Sequence, residues 1–160
     1  MYKKVVYPGT FDPITNGHLD IIKRAHEIFG NVIVAVSKSH GKNPCFDLEK
    51  RIFMVKEATK DLKNVSVIGF DNLLVDFAKG HNAHIIIRGL RAVSDFEFEL
   101  QMGYANSSLW EKIETIYLMP SLENAFISSS VVRSILKHKG NVSHLVPKEI
   151  LSYLGHDKCM

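Results

Sequence analysis

The chain has 160 residues, 46% of them hydrophobic and 23% charged, with a formal charge of +3. That length suits one domain over residues 1–160 with a core that needs no staples. The charge is only mildly basic, no run of five Lys or Arg occurs, and nothing approaches the ~18 consecutive apolar residues of a membrane span, so neither a nucleic-acid surface nor a membrane is expected. Pro8-Gly9 interrupts the first apolar run before a signal segment forms, which makes the expected location cytoplasmic. Cys45 and Cys159 have no metal-ligand spacing and suggest no disulfide framework, in keeping with a reducing compartment and no redox role.

The first strand is expected over residues 3–7. The loop after it contains Pro8, Gly9, Pro13 and Gly17, and a helix is expected over 16–29, where Leu19, Ile21, Ile22, Ala25, Ile28 and Phe29 recur at helical spacing. Thr15 and His18 then lie three apart on one face of the first turn, beyond the strand's carboxyl end. One reading makes this a Pro/Gly turn with Thr15 as an N-cap and His18 solvated. The other makes it a nucleotide-phosphate site: a helix amino terminus attracts anions, and Gly17 lacks the Cβ that would hold a phosphate away.

Further strands are expected over 32–37, 65–70, 84–88 and 114–118, and helices over 48–60, 73–80, 94–109 and 129–138, with a last short helix from Pro147. Asp47 caps the second helix, Ser94-Asp95-Phe96-Glu97 has capping-box form, and Gly30, Gly80 and Gly140 follow helices. This alternation implies an α/β fold with a five-stranded, parallel, doubly wound sheet and helices on both faces. Three loops at strand ends carry polar clusters. Lys38, His40 and Lys42 lie between Ser37 and Phe46, either as a solvated loop or leaning over a phosphate. Arg88 and Arg91 flank Gly89-Leu90, as surface ion pairs or as a phosphate grip. Ser128, Ser129 and Ser130 precede a helix, as an N-cap or an anion site. Phe53, Phe77, Met102, Met119 and Trp110 have core spacing, and His138 and His144 belong on the surface. P-loop, G-x-G-x-x-G, nucleophile-elbow and C-x-x-C patterns do not occur.

Thr15-Asn16-Gly17-His18, preceded by Gly9-Thr10-Phe11-Asp12-Pro13, resembles the T/H-x-G-H signature of the nucleotidyltransferase superfamily. With threonine first, it resembles the bacterial phosphopantetheine adenylyltransferase family. Arg88-Gly89-Leu90-Arg91 with Asp95-Phe96-Glu97 is similar to that family's R-G-L-R-x-x-x-D-F-E segment, and Ile127 to Arg133 to its I-S-S-S-x-x-R pattern. The likeness runs from residue 3 to about 150. Three departures are visible: Phe98, where many relatives have tyrosine, and Asn124 and Ala125, where some have aromatic or serine residues.

The resemblance implies a Rossmann-like nucleotidyltransferase fold and reversible adenylyl transfer from ATP to 4′-phosphopantetheine, giving dephospho-coenzyme A and pyrophosphate. It implies Mg²⁺ carried on the ATP phosphates with no protein ligand, coenzyme A as a feedback inhibitor, and a homohexamer. His18, Thr10, Lys42 and Arg91 are the catalytic residues it implies. Thr10, Phe11, His18, Gly89, Leu90, Arg91, Glu99, Asn124, Ala125, Phe126, Ile127, Ser128, Ser129 and Ser130 would bind ATP. Thr10, Lys42, Leu74 and Arg88 would bind the acceptor. Two rivals stay open at this point, a sister enzyme acting on another acceptor such as nicotinamide mononucleotide and a nucleotide-sensing module without turnover. The charge of His18 is also open, because the helix terminus disfavours the cation and a bound triphosphate favours it.

Overall fold

The β-strand and helix patterns fold in chain order as β1 (Lys3–Gly9), α1 (Asn16–Phe29), β2 (Gly30–Ser37), α2 (Leu48–Thr59), β3 (Val65–Phe70), α3 (Leu74–Gly80), β4 (Ile85–Gly89), α4 (Val93–Leu109), β5 (Glu114–Leu118) and α5 (Ser129–Lys137). Short 3₁₀ turns lie between β5 and α5, at Leu122–Asn124, and after α5, at Lys148–Tyr153. The structure, a computed structural model, describes residues 3–38, 44–91 and 93–155, without the side chains of residues 93 and 94.

All five strands are parallel, in the order β3-β2-β1-β4-β5. Alternation along the strands sorts the core into two layers. Val5, Tyr7, Val32, Val34 and Val36 join Ile21, Ile22 and Ala25 of α1 and Val132 and Leu136 of α5 on one face. Val6, Ile33, Ala35 and Ile86 meet Phe77 and Ala78 of α3 on the other. Burying each Val, Ile or Leu side chain among them contributes about 1.5–3 kcal/mol. The order of strands reverses between β1 and β4. There β1 stays in register with β2 to Gly9↔Val36, while its pairs with β4 are Val5↔Ile85 and Val6↔Ile86. The carboxyl ends of β1 and β4 therefore border a crevice at the switch point, where ligands of open α/β sheets bind.

Most punctuation works as expected. Gly30 closes α1 at φ 79°, a left-handed position that suits glycine, and Asp47 accepts the Lys50 N–H at the start of α2. Gly80 instead lies inside α3, whose cap is His81. Helix α4 begins at Val93, ahead of the expected Ser94 cap. Three side chains expected in the core are exposed: Phe53, which packs edge-on against Tyr153, Met102, which borders a small cavity, and Met119, which lies just beyond the end of β5. Cys45 is disulfide-bonded, where the cysteine count suggested no disulfide framework.

Candidate functional site

Three segments meet at the crevice. The first is the turn from β1 into α1. Thr15 has extended backbone and caps the helix: its Oγ1 accepts the His18 N–H at 3.3 Å, while His18 Nδ1 accepts the Thr15 N–H at 3.0 Å. This is a capping box with histidine in the place usually taken by Glu or Gln. An accepting Nδ1 puts the ring proton on Nε2, which leaves Nε2–H for the cavity that the ring lines. Phe11 packs its edge against the imidazole at 5.0 Å between centroids, and Tyr7 packs against Phe11 at 5.5 Å. The Phe11 backbone sits at φ 50°, which a bulky residue avoids unless its surroundings hold it, and its fully buried ring supplies that hold. Burial first, then Arg91 and Arg88, lower the pKa of His18 to about 3. With no anion in the cavity, the imidazole is held neutral at neutral pH, the side of the balance that burial and the two arginines favour. Thr15 is indeed an N-cap, and that cap is what orients His18.

A Cβ on Gly17 would meet Asn124 O at 3.4 Å and Ile127 O at 3.6 Å. Those are ordinary contact distances. Glycine here leaves space between α1 and the 124–127 segment as well as toward a phosphate.

The second segment runs from β4 into α4. Arg88 donates from Nε to Glu99 Oε2 at 2.6 Å and from Nη2 to Glu99 Oε1 at 2.5 Å, a bidentate pair, and from Nη1 to Pro8 O at 3.2 Å. Arg91 reaches Ile127 O at 3.3 Å and lies 3.5 Å from Asp95 Oδ2. The third segment precedes α5. Asp20 of α1 accepts the Ser121 N–H at 2.7 Å and Arg24 donates to Met119 O, fixing this segment to α1. Ser128 caps α5 by accepting the Val131 N–H, Ser129 donates to Pro13 O at 2.8 Å, and Arg133 donates to Asp12 O at 2.7 Å.

Together these segments enclose a cavity of ≈ 250 Å³. Of the residues singled out from the sequence, Thr10, Phe11, His18, Arg88, Gly89, Arg91, Glu99, Ile127 and Ser129 line it. Leu74 lines a smaller cavity of ≈ 90 Å³ that shares Arg88 and Glu99 with the first. Asn124 and Phe126 line a separate groove with Asn16 and Asp20. Leu90 donates its backbone N–H to Leu118 O, Ala125 ends the 3₁₀ turn, Ser128 serves as the α5 cap, and Ser130 accepts from Arg133 Nη2 at 3.1 Å. These four do not line the main cavity. Lys42 and His40 lie outside the described residues.

Asp12, Asp95 and Arg133 complete the charges of the cavity wall, and they carry a lesson that spacing alone does not convey. Each arginine faces a carboxylate: Arg88 faces Glu99 at 2.5 Å, Arg91 faces Asp95 at 3.5 Å, and Arg133 faces Asp12 at 3.7 Å. Asp12 and Asp95 stand inside the motifs that drew attention to their neighbours, but which carboxylate meets which guanidinium depends on the tertiary fold. The arrangement can bind a polyanion, through guanidinium N–H groups that remain beside each pair. It can also offer a neutral N–H donor at a fixed point between them.

Among known proteins, the cytidylyltransferase-like family model matches residues 6–135. The chain is 67% identical over 159 residues to a protein of Campylobacter hominis named phosphopantetheine adenylyltransferase, a match that covers 99% of this chain and 100% of that relative. It is 69% identical over 154 residues to a protein of the same name from Campylobacter concisus, covering 96% and 99% of the two chains. A Campylobacter jejuni protein, again so named, is 68% identical over 155 residues, with 97% and 98% covered.

Proposed function

Because the chain belongs to the phosphopantetheine adenylyltransferases within the cytidylyltransferase-like family, we propose that it transfers an adenylyl group reversibly from ATP to 4′-phosphopantetheine, giving dephospho-coenzyme A and pyrophosphate. The observation that carries this reading is the meeting of His18, Arg88, Arg91 and Ser129 around one cavity at the switch point of the sheet.

An oxygen of the acceptor's phosphate attacks the α-phosphorus of ATP in line, and the bond to pyrophosphate breaks on the opposite side. A phosphate monoester has its second pKa near ~6 and is already dianionic for the most part at neutral pH. The protein then has no proton to remove. Its work is positioning and the stabilisation of developing charge. His18 Nε2–H donates to an α-phosphate oxygen as negative charge builds on it. Arg91 and Ser129, which line the cavity, hold the departing pyrophosphate. Thr10 and Lys42 hold the acceptor's phosphate and Arg88 binds the acceptor, whose longer arm extends toward Leu74. Among the described residues no group of three or more His, Cys, Asp or Glu is placed to hold a metal ion. In this reading Mg²⁺ arrives on the triphosphate, and no step above is routed through it.

The same reading places the enzyme in the cytoplasm as a single nucleotidyltransferase domain, subject to feedback by coenzyme A. It also makes the protein a homohexamer, supported by the exposed apolar side chains of α4, among them Phe96, Phe98, Met102, Tyr104 and Leu109. No helix of the described residues is long and apolar enough to cross a membrane.

Pyrophosphate release measured with ATP and a series of acceptors tests the proposal. Rapid release is expected with 4′-phosphopantetheine and none with pantetheine, which has only a neutral hydroxyl in place of an anionic nucleophile. Preference for nicotinamide mononucleotide would reassign the acceptor, and ATP binding without release from any acceptor would make the chain a nucleotide sensor.

A further inference from the structure

Arg51 stands on α2, away from the residues to which the motifs point, yet only 1% of it is exposed and it is among the largest fully buried side chains. Its three hydrogen bonds go to backbone carbonyls of three segments: Nε to Phe46 O at 2.9 Å, and Nη1 to Thr10 O at 2.7 Å and to Ser37 O at 2.8 Å. Ser37 ends β2, Phe46 leads into α2, and Thr10 follows β1 at the rim of the cavity. No carboxylate lies within ion-pair distance of Arg51 among the described residues. The nearby negative charge comes from Asp47 and, more strongly, from Asp12, whose own carboxylate oxygens accept the Cys45 and Phe46 N–H groups at 2.8 and 2.9 Å.

Burying a guanidinium is costly, and an apolar side chain of similar shape would serve packing alone at least as well. What an apolar chain cannot do is hold three carbonyls from three segments at one point. We propose that Arg51 is a positioning residue for the adenylyl transfer: by fixing the Thr10 carbonyl against the ends of β2 and the α2 entry, it sets the direction in which Thr10 meets the acceptor's phosphate. The inference rests on the assignment of Thr10 to that phosphate. An in-line displacement is sensitive to small misplacement, so loosening Thr10 lowers turnover even when every ligand still binds.

A double-mutant cycle tests this, using R51K, T10A and the R51K/T10A chain, with kcat and KM measured separately for 4′-phosphopantetheine and ATP. Lysine keeps the charge but offers one nitrogen in place of a fork. R51K is expected to lower kcat/KM for the acceptor by about tenfold, as a fraction of the effect of a 1 Å displacement, with KM for ATP unchanged. In the T10A background the same substitution is expected to cost less than about twofold, because the two residues act as one unit. Equal losses from R51K in both backgrounds, or unaltered turnover in R51K, would overturn the role of Arg51 while leaving the proposed reaction in place. Unaltered turnover in T10A would remove the premise about Thr10 and the inference with it, whereas absence of transfer by the unmodified enzyme would instead overturn the proposed function. Thermal unfolding identifies a folding defect, in which case the cycle is run with R51M; if neither variant folds, Arg51 is a structural residue and the proposal fails.

Discussion

The two lips of the cavity are built on opposite electrostatic plans. On the β1–α1 lip, Thr15 and His18 satisfy each other across three residues, the ring packs on Phe11, and the donor facing the cavity is uncharged. On the β4–α4 lip the donors are the guanidinium groups of Arg88 and Arg91, and each is held by a carboxylate from α4, Glu99 or Asp95. The first lip is set before any ligand arrives, by contacts of short sequence range. The second must share its hydrogen bonds between the protein and an incoming anion. A preset neutral donor suits a contact that strengthens in the transition state, and compensated cations suit contacts that bind ground states.

If that division holds, substitutions on the two lips separate turnover from affinity. His18→Ala should lower kcat by about 10²-fold or more with little change in ATP affinity, because the lost donor acts chiefly as charge develops. A large rise in Kd for ATP with normal kcat would place His18 in ground-state binding and erase the contrast. Arg88→Ala should weaken 4′-phosphopantetheine binding more than ATP binding, as read by titration calorimetry, and Ser129→Ala should do the reverse. Arg88→Ala also leaves the Glu99 carboxylate without its partner, a cost on the order of 2 kcal/mol in chemical denaturation. Adding Glu99→Gln should recover part of that stability without recovering acceptor binding.

A smaller effect concerns pH. The folded-state pKa of His18, about 3, lies below its unfolded value near 6.5. The folded protein therefore binds fewer protons than the unfolded chain between those values. The stability that His18 contributes is complete above pH ~6.5 and is lost as the pH falls toward ~3, with a slope of at most about 1.4 kcal/mol per pH unit. His18→Gln should flatten the stability profile in that window, and an unchanged profile would argue against a buried neutral ring. The smallest effect is expected from Thr15→Ala, which should cost about 1 kcal/mol of stability by removing the α1 cap. Because the cap also orients the imidazole, its kcat should fall while Arg88-dependent acceptor binding persists.

The fold was legible from the sequence because its signals are local. Strand and helix periods, the Asp47 and Gly30 caps and the βα alternation each depend on neighbouring residues, and together they specify a doubly wound parallel sheet. The capping threonine was legible for the same reason. The pairing of Arg88 with Glu99 spans eleven positions from strand to helix, and that of Arg133 with Asp12 spans most of the chain, so their geometry follows only from the assembled sheet. Arg51 was hidden by its setting: a basic residue on a helix beginning Leu48-Glu49-Lys50 reads as a solvated face, and only the packing of α2 on β2 and β3, with the guanidinium turned to the carbonyls of Thr10, Ser37 and Phe46, buries it. The charge of His18 was undecidable from sequence because it depends on burial and on two arginines some seventy positions away.

Nitrogen NMR of the His18 imidazole tests the central contrast most directly, with its signals assigned by their loss in His18→Gln. Between about pH 5 and 8, where an unperturbed histidine titrates, the account predicts a neutral ring with the proton on Nε2 and no change across the range. An imidazolium at neutral pH, or a neutral ring protonated on Nδ1, would contradict it.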